Sequence, residues 1–154
     1  MNTKKIYVQT SIFAILLFLS LANAQNNAED DFKLARNLFR DAGDYATASK
    51  LFGEFILNYP NNPNIPQARL LLARSFRNNN KCESAENAYE TFISKHPDHL
   101  ETSDARRERA ACLSQRGLFK ESAKAYLDIQ SRYKSSDFAP EALLNAAKNY
   151  ARAE

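Results

Sequence analysis

The chain has 154 residues, 44% hydrophobic and 25% charged, with three Gly and five Pro. That is ordinary globular composition, and it excludes a collagen-like, low-complexity or intrinsically disordered chain. A formal charge of +3 gives no support for nucleic acid as the main partner.

The first 24 residues differ from the rest. Lys4 and Lys5 supply a positive start, Ser11 to Leu21 is almost wholly apolar, and Ala22-Asn23-Ala24 sets small residues two apart before Gln25. This is the layout of a secretory signal peptide, with cleavage expected after Ala24. The apolar stretch from Ile6 to Ala22 is interrupted by Tyr7, Gln9, Thr10 and Ser11, and it is short for a membrane span of about 20 residues. No Cys follows the apolar run, so a lipid-attachment signal is not expected there. Removing residues 1–24 takes away two Lys and no acid, so the formal charge falls from +3 to +1.

From residue 25 onward the sequence repeats itself at a spacing of 37, as in Phe52, Tyr89 and Tyr126, or Phe55, Phe92 and Ile129, or Tyr45, Cys82 and Phe119. Small residues keep the same step in Ala48, Ala85 and Ser122, in Ala73, Ala110 and Ala147, and in Ala68, Ala105 and Ala142. A fixed period of this size marks stacked helical repeats. The first helix is expected over 29–42 and stops at Gly43; the second, over 45–58, closes at Tyr59-Pro60. The third, over 66–79, opens on Pro66 and stops at Asn80, and the fourth, over 82–95, closes at His96-Pro97. The fifth, over 103–116, is capped by Ser103 and stops at Gly117; the sixth spans 119–133 and the seventh, 140–153, opens on Pro140.

Three rules set those limits. Gly or Asn suits a helix end that must turn left-handed, Pro disfavours helical geometry in the residue before it, and Pro or Ser suits a helix start. The expected fold is all-α, an α-solenoid of antiparallel helix pairs with repeats at 29–65, 66–102 and 103–139 and a partial one at 140–154. Aromatics three apart line one face of each second helix, and the alanines let neighbouring helices approach closely. That apolar set reads as core, because a single repeat cannot bury its apolar face alone.

Catalytic signatures are not evident. The sequence carries no Gly-rich phosphate loop, no nucleophile elbow and no HExxH, and it has two His in all, so no enzyme activity and no cofactor are expected. His96-Pro97-Asp98-His99 reads as a structural link, since the Pro prevents a helical histidine pair and no further metal ligand is evident. Cys82 and Cys112 fall on helices expected to run antiparallel, at ends that meet. Two readings stay open for them: a disulfide, favoured by export to an oxidising compartment, or two buried thiols acting as small apolar residues.

Aligning Pro97 with the closing Pro of a tetratricopeptide repeat sets Leu72, Ala73, Phe76, Asn80, Cys82, Ala85, Tyr89 and Phe92 on that family's signature positions. The first repeat matches at Phe39, Gly43, Tyr45, Ala48, Phe52, Phe55 and Pro60, and the third at Ala110, Leu113, Gly117, Phe119, Tyr126 and Ile129. Arg36, Arg109, Ser122 and Lys134 depart from the pattern. The chain thus resembles the tetratricopeptide repeat family over residues 30–154. Its longer link, such as Tyr59-Pro60-Asn61-Asn62-Pro63-Asn64-Ile65-Pro66, is similar to that of the BamD-like outer-membrane assembly lipoproteins and the YbgF-like periplasmic proteins of the Tol-Pal system.

The resemblance implies a right-handed superhelix whose inner groove is lined by the first helix of each repeat. Carried over, the groove positions are Lys33, Asn37 and Arg40, then Leu70, Arg74 and Arg77, then Arg107, Ala111 and Ser114, with Leu144 and Lys148 extending the row. None is acidic, so the groove is expected to attract an acidic or carboxylate-bearing protein segment. The alternative for those charges is a solvated face paired with acids such as Asp41 and Glu108. The resemblance further implies a periplasmic scaffold, outer-membrane associated or not, with an envelope protein as partner and neither nucleic acid nor a small-molecule substrate. A second expectation is a targeting module of a longer envelope enzyme continuing past Glu154, and a third is self-association through the apolar end at Tyr150.

Overall fold

The computed structural model describes residues 27–154, and the leader expected over 1–24 lies outside them. Among the described residues there are seven helices and no strand. Helix α1 covers 27–37 and runs into a π-helical turn at Leu38–Ala42. The others are α2 at Tyr45–Asn58, α3 at Ile65–Asn78, α4 at Cys82–Lys95, α5 at Thr102–Gln115, α6 at Phe119–Arg132 and α7 at Ala139–Arg152. From α2 onward each helix packs on the next. Helix α1 joins the row through Phe32, whose ring centre lies 6.1 Å from that of Phe52 and 5.2 Å from that of Phe55. Contact between sequence neighbours all along the chain makes the structure an α-solenoid of helix pairs.

The first helix of each pair ends as its sequence requires. Gly43, Asn80 and Gly117 take φ of 65°, 58° and 79°, left-handed values that Gly adopts freely and Asn tolerates. The N–H groups of Lys81 and Leu118 then donate to the carbonyls of Phe76 and Leu113, which satisfies acceptors the helix leaves orphaned. The equivalent bond in the first repeat, from Asp44 N–H to the Leu38 carbonyl, spans one residue more because the π-helical turn holds an extra residue. Nothing in the residue pattern signals that turn.

The second helices close alike whether or not Pro follows. Tyr59, His96 and Tyr133 have φ of −127°, −135° and −120° and ψ of 56°, 58° and 41°, so Lys134 reproduces the link without a ring. Pro66 and Pro140 sit in the first turns of α3 and α7, as expected. Ser103 is not the cap of α5. The helix begins one residue earlier, and it is buried Thr102 that ties the link down, donating from Oγ1 to the His96 carbonyl at 2.8 Å.

The interior is built from the residues that recur at 37. Phe52, Phe55, Tyr89, Phe92, Tyr126 and Ile129 are buried, and so are Ala48, Ala85, Ala73, Ala110, Ala68, Ala105 and Ala142. Each large side chain removed from water contributes about 2–3 kcal/mol, and the alanines are what bring the helices close enough for that burial. The departures from the pattern are absorbed locally. Ser122 is buried where other repeats have Ala, and its Oγ donates to the Ala110 carbonyl at 2.8 Å. Arg109 pairs with Glu90 at 3.1 Å, and the Arg36 guanidinium lies 5.8 Å from the centre of the Phe32 ring.

Candidate partner-binding face

The first helices of the repeats are α1, α3, α5 and α7, and the residues named as groove positions divide into three groups. Lys33, Asn37 and Arg40 on α1 and Lys148 on α7 are exposed. Among the described residues, none of the cations Lys33, Arg40 and Lys148 takes part in an ion pair. Ala111 and Leu144 are exposed, and Ser114 is half-buried, its Oγ accepting from Arg152 Nη1 at 3.4 Å. Leu70 is different: it is fully buried beside Ala73, Cys82 and Tyr89, so it supports the face from behind and offers no surface to a partner.

Arg74, Arg77 and Arg107 form the third group, and all three are engaged within the chain. Arg74 on α3 reaches α5 and the residue that caps it. Its Nε and Nη2 donate to Glu108 at 3.1 and 3.0 Å, and its Nη1 donates to Glu101 at 2.8 Å. Arg77 adds a 3.4 Å contact to Glu108, and the Tyr89 hydroxyl from α4 donates to the same carboxylate at 2.5 Å. One side chain, only 18% exposed, therefore ties α3, α4 and α5 together. Arg107 pairs with Asp104 on its own helix and with Glu141 on α7 at 3.9 Å, and its guanidinium lies 4.7 Å from the Phe138 ring centre.

The ionisation states follow from these contacts. Burial works against the charge on Arg74, but Glu108 and Glu101 more than reverse it, so the guanidinium is held charged more firmly than usual. Burial, then the Glu108 carboxylate, pushes the Tyr89 hydroxyl far above its ordinary value, leaving it a neutral donor. The middle of the face thus holds two paired clusters, Arg74 and Arg77 with Glu101 and Glu108, and Arg107 with Asp104 and Glu141. Among the described residues, the cations of the face that have no ion pair stand at its two ends, Lys33 and Arg40 at one and Lys148 at the other.

The Cys82 and Cys112 sulfurs face each other at 2.9 Å as buried thiols, and Gln115 Oε1 lies 3.0 Å from Cys82 Sγ. The His96 and His99 rings both pack on Phe92, with centres 5.6 and 5.3 Å away, and His99 Nδ1 accepts from the Glu101 N–H. Burial and then the nearby Arg69 charge lower the His96 pKa. Sequence reasoning missed Glu101 and the part played by Tyr89. A spacing of 34 between Arg74 and Glu108, close to one repeat, was the available signal, since residues one repeat apart come side by side on adjacent first helices.

A family model described as outer membrane lipoprotein, YfiO, matches residues 25–107. That description names a lipoprotein, whereas the first cysteine of this chain is Cys82, in α4. No curated protein matches the sequence. Among solved structures, the crystal structure of the P58(IPK) TPR domain is similar over 88% of this chain, with a TM-score of 0.69 and 16% sequence identity. The match spans 37% of that longer chain. The likeness establishes a tetratricopeptide-type fold.

Proposed function

The chain belongs to the YfiO family of outer membrane lipoproteins, and from that premise we propose that it is a non-catalytic scaffold of the bacterial cell envelope, acting in the periplasm. It holds an extended segment of another envelope protein along the groove formed by α1, α3, α5 and α7. Its work is outer-membrane assembly or envelope coordination, as in BamD-like proteins. The partner segment is acidic or ends in a free carboxylate.

The observation that carries this reading is the charge layout of the face: Lys33 and Arg40 at one end and Lys148 at the other, unpaired among the described residues, and an ion-paired Arg74–Glu108–Arg77 centre between them. Cations on a preformed surface steer an acidic segment and fix its register. A partner carboxylate near the middle competes with Glu101 for Arg74, whose fork geometry suits bidentate pairing. The groups that would serve acid–base chemistry here are immobilised, with Glu108 shared by two arginines and Tyr89 held neutral.

Affinity capture from envelope extract tests the reading, using the full chain beside the triple variant Lys33→Ala, Arg40→Ala, Lys148→Ala. These side chains are exposed and unpaired among the described residues, so the variant should melt with the parent. Retention of an envelope protein by the parent and its loss from the variant is the expected result. Equal capture by both, at matched salt, removes the charged ends from the binding site.

A further inference from the structure

We propose that Cys82 and Cys112 are a disulfide-forming pair that staples α4 to α5, closed by exchange with an external disulfide. The two sulfurs are 2.9 Å apart, nearer than two unbonded sulfurs prefer and within about 1 Å of the bonded length. Both residues are buried, at 5% and 1% exposure, so each side chain is held in place by packing. Cys82 opens α4 and Cys112 lies in the last full turn of α5. The bond would therefore join the second helix of one repeat to the first helix of the next.

The 37-residue register sharpens the point. Positions equivalent to this pair are Tyr45 with Ser75 at the preceding interface, and Phe119 with Asn149 at the following one. An aromatic and a small polar residue hold these register positions on either side, and the middle interface replaces both members with sulfur. Plain core filling would be served by the aromatic used on either side.

Closure runs in two balanced steps. Cys82, the more exposed of the two at 5% against 1%, attacks one sulfur of the external disulfide as its thiolate, and the other sulfur leaves as a thiolate. Cys112 then attacks the Cys82 sulfur and displaces the second external thiol. Two protein thiols are oxidised to one disulfide, one external disulfide is reduced to two thiols, and the two protein protons pass to the leaving thiolates. Burial pushes the Cys112 thiol up to about 12, which makes the closing step base-promoted. The bond would fix the angle between α4 and α5, the helices that carry Tyr89 and Glu108.

The test involves no partner and is independent of the scaffold reading. The full chain, purified reduced, is incubated with oxidised glutathione and analysed by intact mass, by alkylation after denaturation and by thermal melting. The expected product is monomeric, lighter by two hydrogen atoms, without alkylatable thiol, and melts about 10 °C higher, as closing a loop of this length implies. Cys82→Ser and Cys112→Ser variants should each show no such rise. Two thiols that persist, a glutathione adduct that never resolves, or a disulfide formed between chains would each overturn the proposal.

Discussion

Replacing Glu108 with Ala removes one carboxylate and four charge-assisted hydrogen-bond contacts, three from Arg74 and one from Tyr89, together with the ion pair to Arg77. Exposed ion pairs contribute less than about 1 kcal/mol, but here the side chains are only 18–21% exposed, and bonds to charged groups in such sites contribute about 1.5–3 kcal/mol each. Arg74 keeps Glu101 as a partner, which limits the loss, whereas the Tyr89 hydroxyl is left buried and unpaired. The expected cost is about 3 kcal/mol, a fall in Tm of roughly 10 °C for a domain of this size. Glu108→Gln, which keeps the shape and a weak acceptor, should cost about half as much. Urea unfolding followed by far-ultraviolet circular dichroism gives the values, and a double-mutant cycle with Arg74→Met should show coupling of about 1.5 kcal/mol. A cost under about 1 kcal/mol with additive effects would refute the idea that this carboxylate holds three helices together.

Three further outcomes follow from local geometry. Gly117→Ala, at φ 79°, should lower stability by about 1 kcal/mol, whereas Asn80→Gly at φ 58° should be neutral or stabilising; urea midpoints separate the two. Ser122→Ala should change stability by less than about 0.5 kcal/mol, because two other repeats place Ala there and the Ala110 carbonyl belongs to a helix. His96 has a lowered folded pKa, so the unfolded chain binds its proton first. Its contribution is intact above the ordinary histidine value near 6.5 and is lost as pH falls through the lowered folded value. Melting curves from about pH 7.5 to 5 should show that decline, and His96→Gln should remove it.

Much of the fold was legible because a solenoid writes its architecture locally. Every helix from α2 to α7 begins and ends within a residue of its expected bounds, most of which come from Gly43, Asn80, Gly117 and the Pro positions. What escaped was the π-helical turn at Leu38–Ala42, since it depends on one extra residue in a turn and not on any residue type. The face was only half legible. Charge could be read from Arg74, Arg77 and Arg107, but their partners Glu108 and Glu141 come from the following repeat and Glu101 from the link that leads to it. A one-dimensional pattern shows which positions share a face, not which side chains reach across it. Leu70 makes the same point, because an apolar residue at a groove position was free to turn into the core and did so.

Photocrosslinking inside the cell tests the central claim most directly, with a photoreactive residue placed either at Ala111, exposed on α5, or at Leu57, 78% exposed on α2. Crosslinking of an envelope protein from Ala111 and not from Leu57, abolished by Lys33→Ala, Arg40→Ala, Lys148→Ala, is what a scaffold binding along its first helices predicts. Crosslinks from Leu57 alone, or from Ala111 with no dependence on those three cations, would contradict it.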